Sequence, residues 1–358
     1  MYKYEDIKQV HLEITSRCNA SCPLCPRNVF GGRVNPNLPL AELTLSDIKA
    51  IFPPDFIQQL HLMYMCGNYG DPIAARDTLA VFEYFKECNP HIHLGLNTNG
   101  SGKDVEWWQR LARAVDYCRF GIDGLEDTNH IYRRGTHWQK ILESAVAFIQ
   151  AGGKAEWDFI VFRHNEHQVD EARELSIKLG FSEFNVKKTY RFIDLVTGHK
   201  KEQVDVLNKT GQIDYILEIP QNSAYQNRQL VELDEAVAKY HSYATYLEQT
   251  EICCKVAAEK SLYVSAEGLV FPCCWTANIY PWHEFFDAAE IWQLIGQLPE
   301  EKKSICAKYY PLSKIVNGSF FQHLIPESWY RSTLAEGKLK VCARVCGKYD
   351  LYSAQQRK

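Results

Sequence analysis

Between Gln9 and Lys188 the sequence switches repeatedly between strand-like alternation and a helical period, which constrains the fold more than any other feature of the chain. Val10, Leu12 and Ile14 alternate with polar neighbours from Gln9 to Thr15, and further strand-like runs cover Leu60 to Met65, Ile92 to Leu96, Tyr117 to Ile122, Ala155 to Phe162 and Phe184 to Lys188. Helical segments fall between them. One starts at Ser46-Asp47 and stops at Pro53-Pro54; others cover Ala75 to Glu87, Val105 to Val115 and Glu171 to Leu179. The clearest is the stripe Trp138, Ile141, Leu142, Ala145, Phe148 and Ile149, closed by Gly152-Gly153. Six strands separated by helices predict an α/β fold with parallel strands, either a partial barrel or a doubly wound sheet. In both, reactive groups gather at the carboxyl ends of the strands.

The first strand runs into Thr15-Ser16-Arg17-Cys18-Asn19-Ala20-Ser21-Cys22-Pro23-Leu24-Cys25-Pro26. Cys18, Cys22 and Cys25 offer three thiolates to a cluster with four metal corners, leaving one iron open to a small molecule. A structural zinc site is the alternative, but zinc usually closes with a fourth Cys or His nearby. His11 lies inside the strand and His61 is far away. Three polar turns end the next strands: Cys66-Gly67-Asn68-Tyr69-Gly70-Asp71-Pro72, Asn97-Thr98-Asn99-Gly100 and Asp123-Gly124. Glycines there allow close backbone approach, and Asp71 offers a carboxylate to a ligand ammonium.

The net charge of -4 gives no electrostatic footprint for nucleic acid, which favours a peptide or small-molecule partner. No run approaches membrane-spanning length, and the start, Met1-Tyr2-Lys3-Tyr4-Glu5-Asp6, carries no export signal, so the expected location is the cytoplasm. Thirteen cysteines in a reduced compartment point to metal ligation rather than disulfides. Most are grouped: Cys18/Cys22/Cys25, Cys253/Cys254, Cys273/Cys274 and Cys342/Cys346, with Cys66 beside its glycine loop. Cys88, Cys118 and Cys306 are scattered.

Residues 193–250 are more polar and read as a bridge with one helix, roughly Leu230 to Leu247; Tyr190, Tyr215, Tyr225, Tyr240, Tyr243 and Tyr246 read mainly as packing, with the lining of a peptide groove as the alternative. Beyond it, Val264 to Pro272 reads as a small hairpin that brings Cys254 and Cys273 together. The expected domains are 1–192, the partial barrel; 193–250, the bridge; and 251–358, a small cysteine-rich domain.

Taken together, these motifs resemble the radical S-adenosylmethionine superfamily over residues 8 to 190, and its C-terminal auxiliary-cluster extension (SPASM/twitch type) over residues 250 to 347. The resemblance implies a partial (β/α)6 barrel with a 4Fe-4S cluster on Cys18, Cys22 and Cys25, whose open iron binds S-adenosylmethionine. Reductive cleavage then gives a 5'-deoxyadenosyl radical that removes a substrate hydrogen atom. The family's Gly-Gly-Glu-Pro run corresponds to Tyr69-Gly70-Asp71-Pro72 here. By the same resemblance Gly70, Asp71, Asn97, Thr98, Asn99, Asp123 and Arg163 are the expected cofactor contacts. Relatives often carry Ser two residues before the aspartate at position 123, where this chain has Gly121. Cys254, Cys273, Cys342 and Cys346 would hold one auxiliary 4Fe-4S cluster, with Cys253 and Cys274 able to exchange roles with their neighbours; four thiolates suit a zinc ribbon equally.

Enzymes with this extension mostly modify ribosomal precursor peptides by crosslinking, epimerisation or backbone excision, or they oxidise small sugars and alcohols. A precursor peptide is the favoured substrate, with a radical dehydrogenase of a small metabolite, and a non-catalytic cluster or zinc scaffold, as the alternatives. Only 17 residues precede Cys18, so the N-terminal domain that grips a leader peptide in many maturases is not expected, and a separate leader-binding protein is. An electron donor of flavodoxin or ferredoxin type is the other expected partner. Cys66 and Cys306 are the candidate hydrogen-atom donors.

Overall fold

A computed structural model describes residues 1–194, 196–280 and 288–347, so positions 195, 281–287 and 348–358 of the ranges above lie outside the described residues. Six strands, β1 (Gln9–Leu12), β2 (Leu62–Met65), β3 (His93–Thr98), β4 (Tyr117–Gly121), β5 (Ala155–Ile160) and β6 (Glu183–Lys187), lie side by side in chain order, each parallel to the next. A doubly wound sheet would reverse its order part-way. This sheet does not, so it has the winding of a partial barrel, left open because β6 forms one edge.

The connecting helices follow the sequence pattern. Thr44 caps helix Leu45–Ile51 by accepting from Asp47 N, and Pro53-Pro54 opens a short second helix, Pro54–Gln58, rather than simply ending the segment. Asp104 caps Val105–Ala114, and Gly152, at φ 91°, follows Trp138–Gln150. Ile141, Ala145 and Phe148 of that helix pack with Trp108, Phe120 and Trp157 in one core. Each fully buried side chain of this size contributes about 1.5–3 kcal/mol.

The remaining strands revise the expected organisation in two respects. The hairpin read over Val264 to Pro272 forms but starts earlier, with β9 (Ser261–Val264) and β10 (Val270–Phe271), and β9 also pairs in parallel with β1, extending the sheet to eight strands in the order β10-β9-β1-β2-β3-β4-β5-β6. The bridge holds an unexpected antiparallel hairpin, β7 (Gln203–Leu207) and β8 (Ile213–Glu218), and two helices, Arg228–Lys239 and Tyr243–Gln249, instead of one. His241 at φ 65° breaks the helical path between them. The hairpin rests on the first cysteine loop: Leu207 N donates to Phe30 O at 2.9 Å, and Val206, Leu217 and Leu230 share a core with Cys22 and Tyr132.

Candidate functional site

The chain leaves β1 into a loop that folds back on itself, with Cys25 N donating to Cys22 O at 3.1 Å and Ala20 N pointing at Cys18 Sγ from 3.3 Å. The three thiols of Cys18, Cys22 and Cys25 lie close enough for each to sense the others' charge. Cys22 is buried, and burial pushes its thiol up to about 11 while the Arg133 guanidinium pulls it back. Burial likewise raises Cys25, opposed by Arg191, Arg27 and Arg133. Desolvated thiols surrounded by guanidinium groups fit an anionic iron-sulfur centre, whose thiolates need counter-charge where water is scarce.

The expected cofactor contacts converge here, but several turn inward. Asp71 is buried, accepts from Thr98 Oγ1 and Asn99 N at 2.8 Å each and from Ile73 N at 3.1 Å, and burial raises its carboxyl. In this state its carboxylate braces the β3 turn. Gly70 is required by packing, since a Cβ there would lie 1.8 Å from Thr15 O. Asn99 Nδ2 approaches Cys18 Sγ at 3.7 Å and bonds Asn19 Oδ1 at 2.8 Å. Asn97 Nδ2 points to Cys66 Sγ from 3.5 Å, and its buried Oδ1 has no hydrogen-bond partner, as a rim group awaiting a ligand donor would.

Asp123 is fully buried between Arg133 Nε at 2.5 Å and Ile160 N at 2.6 Å. A Cβ branch at Gly121 would meet that guanidinium, 2.3 Å from the added Cβ, so Arg133 occupies the space over Gly121 that a serine side chain would need. Arg163 lies 3.8 Å from Glu166 and donates its backbone N to Glu218 O at 3.1 Å. Arg133 and Arg191, by contrast, reach the thiol loop; Arg191 Nη1 donates to Leu24 O at 2.5 Å. Arg133 was missed because no strand end marks the Tyr-Arg pair at 132–133; Arg191 follows the end of β6 closely, and that position was the signal that could have found it.

At the other end of the chain, Cys342 and Cys346 sit one turn apart on helix Lys340–Cys346. The Cys254 thiol bonds Cys346 and senses Cys342 and Cys273, so the four auxiliary candidates form a group. Cys253 is exposed, while burial raises the Cys274 thiol and the neighbouring Cys273, Cys66 and Glu13 raise it further. Among the described residues no three donor side chains converge on a point that a single ion would occupy, and a cluster with four metal corners spreads its ligands wider than that. Burial pushes the Cys66 thiol up to about 12. Cys306 is buried, its thiol directed at Glu267 O at 3.7 Å.

One residue escaped the sequence reading altogether. Glu13, just past β1 and buried, accepts from Tyr69 N at 2.7 Å and Gly70 N at 3.0 Å, and from the Tyr263 hydroxyl. Burial raises its carboxyl. Its place in the alternation, a polar residue on the face opposite Leu12 and Ile14, gave no sign of a buried role.

Fold and site thus define a parallel α/β barrel protein with a three-thiol centre at the carboxyl ends of its strands. Residues 12–176 match the sequence model of the Radical SAM superfamily. No curated protein sequence matches it. Among solved structures it is similar to polyhistidine-tagged anSMEcpe with bound AdoMet, at 13% identity and TM-score 0.54, over 97% of this chain and 88% of that one. Native anSMEcpe with bound AdoMet and the Cp18Cys peptide matches at 13% identity and TM-score 0.53, over 97% and 91%. Streptococcus suis SuiB bound to S-adenosylmethionine matches at 13% identity and TM-score 0.48, over 75% of this chain; the chain spans 60% of SuiB's length. Among the described residues no helix is long and apolar enough to cross a membrane.

Proposed function

We propose that the chain is a radical S-adenosylmethionine enzyme that modifies a ribosomally made precursor peptide in the cytoplasm. Cys18, Cys22 and Cys25 would hold the 4Fe-4S cluster that, with S-adenosylmethionine bound, supplies the 5'-deoxyadenosyl radical for hydrogen abstraction. Cys254, Cys273, Cys342 and Cys346 would hold one auxiliary 4Fe-4S cluster. The observation that carries this reading is the pair of thiol groups joined by one loop: Asp71 N bonds Arg17 O beside Cys18, and Asn68 Nδ2 bonds the Cys274 carbonyl beside Cys273.

The chain's own groups have definite tasks in this reading. Arg133 and Arg191 offset the negative charge of the thiolates, Asp123 fixes Arg133, and Asn97 offers its unpaired Oδ1 to a ligand donor. Arg163 stays a candidate contact for the cofactor carboxylate. A peptide substrate is supported by the likeness in fold to a protein solved with a peptide bound, and by the absence of a basic charge excess. A separate leader-binding protein and a flavodoxin or ferredoxin donor complete the proposal.

Anaerobic reconstitution followed by dithionite and S-adenosylmethionine should yield 5'-deoxyadenosine. Coexpression with a short peptide encoded beside the gene should change that peptide's mass. Absence of 5'-deoxyadenosine would remove the radical chemistry; an unchanged peptide, with turnover of a sugar or alcohol instead, would remove the peptide substrate.

A further inference from the structure

The loop from Cys66 to Pro72 touches three parts of the molecule that lie far apart in sequence. Against the first cysteine loop, Asp71 N bonds Arg17 O at 2.9 Å and Gly70 packs on Thr15 O. Against the β3 turn, Asp71 holds Thr98 and Asn99, and Asn99 in turn approaches Cys18. Against the C-terminal segment, Asn68 Nδ2 bonds Cys274 O at 2.6 Å, and Tyr69 Oη donates to Asn278 Oδ1 at 2.6 Å while accepting from Tyr280 N at 3.3 Å.

Beneath this loop Glu13 takes both backbone N–H groups of Tyr69 and Gly70 on one oxygen. That carboxylate is itself set by β9. Glu13 N donates to Val264 O at 2.9 Å, and the Tyr263 hydroxyl donates to the other carboxylate oxygen, which fixes the plane of the group. Tyr263 is 1% exposed and Glu13 2%, so water offers neither a substitute partner.

We infer that Glu13 and Tyr263 are positioning residues for S-adenosylmethionine binding, through which the C-terminal segment holds the Cys66–Pro72 loop in its binding shape. The two cysteine groups are then coupled mechanically: a change at Cys273-Cys274 is felt at the loop beside Cys18. This rests on the reading above, that the loop belongs to the S-adenosylmethionine site.

The test uses reconstituted holoenzyme. Tyr263→Phe keeps the ring and removes the hydroxyl; Asn68→Ala removes the bond to Cys274. Binding of labelled S-adenosylmethionine is measured by equilibrium dialysis, and the spectral change it causes in the reduced first cluster by electron paramagnetic resonance, with iron content and thermal midpoint as controls. Losing one hydrogen bond to a charged group should weaken binding about tenfold in Tyr263→Phe. Asn68→Ala should weaken it several-fold, both with near-normal iron content, and Glu13→Gln, which keeps an acceptor oxygen, should bind better than Glu13→Ala. A Tyr263→Phe protein with a lower thermal midpoint but wild-type binding and an unchanged spectral response would overturn the inference. Wild-type protein that binds no S-adenosylmethionine would remove the underlying reading as well, a result visible before any variant is made.

Discussion

His11 provides a quantitative check on the core beneath the site. It is buried in β1 between Tyr64, stacked at 4.4 Å, and Tyr263, edge-on at 4.8 Å, and its Nε2–H donates to the Cys66 carbonyl at 2.5 Å. Burial depresses its pKa from 6.5 to about 4, partly offset by that hydrogen bond. A depressed histidine binds its proton more tightly in the unfolded chain, so its contribution is present above pH 6.5 and is lost as the pH falls toward 4. For those two pKa values the linkage integral between pH 7 and pH 4.5 is about 2.4 kcal/mol.

His11→Gln keeps an N–H donor for Cys66 O but cannot titrate. At pH 7 the variant should be less stable by about 1–2 kcal/mol, from two lost aromatic contacts. At pH 4.5 that gap should close or reverse. Urea titrations of the reduced, metal-free chain, followed by tryptophan fluorescence, give both values, and the difference between variant and wild type cancels His164, which burial also lowers to about 4. A gap that is the same at both pH values refutes the assignment of a neutral, desolvated His11.

Three further outcomes follow from the site. Arg133→Leu should destabilise the protein by about 3–5 kcal/mol in denaturant titrations, because Asp123 loses the partner of a fully buried charge. Gly121→Ser should cost about 1–3 kcal/mol and weaken the Arg133–Asp123 contact, since the added Cβ falls 2.3 Å from a guanidinium nitrogen; an unperturbed midpoint would show that Arg133 has another resting place. Replacing Cys18, Cys22 and Cys25 together by Ala should remove about four irons and all 5'-deoxyadenosine formation, while Cys342→Ala with Cys346→Ala should remove a separate set of about four. Iron analysis that shows no second set would sink the auxiliary cluster.

The parallel strands were legible because each carries a run of apolar residues bounded by turn signals, and the three-cysteine loop because thiols at that spacing have few other uses. The register of β9 against β1 was not. The hairpin read over Val264 to Pro272 takes in only the last residue of Ser261–Val264, and nothing in those four residues announces a partner at the opposite end of the chain. The β7–β8 hairpin was lost for a related reason: Val204, Val206, Ile213, Tyr215 and Leu217 alternate, but the surrounding charges lowered the apolar signal. Of the site, the residue types at the strand ends were readable and their partners were not. Asp71, read as a ligand for an ammonium group, also accepts from Thr98, Asn99 and Ile73, partners that no spacing announced, while Glu13, Arg133 and Arg191 act through distances that no local spacing encodes.

The seam between β1 and β9 also dictates an order of assembly. Glu13 and Tyr263 are 250 positions apart, so during synthesis the strand that carries the cysteine loop stays an open edge until most of the chain has left the ribosome. Six strands can line up before then, yet the buried carboxylate of Glu13 has no tyrosine to meet it. On the proposed reading, loading of a cluster on Cys18, Cys22 and Cys25 should therefore lag translation, and truncated chains ending before Ser261 should be aggregation-prone and poor acceptors of iron.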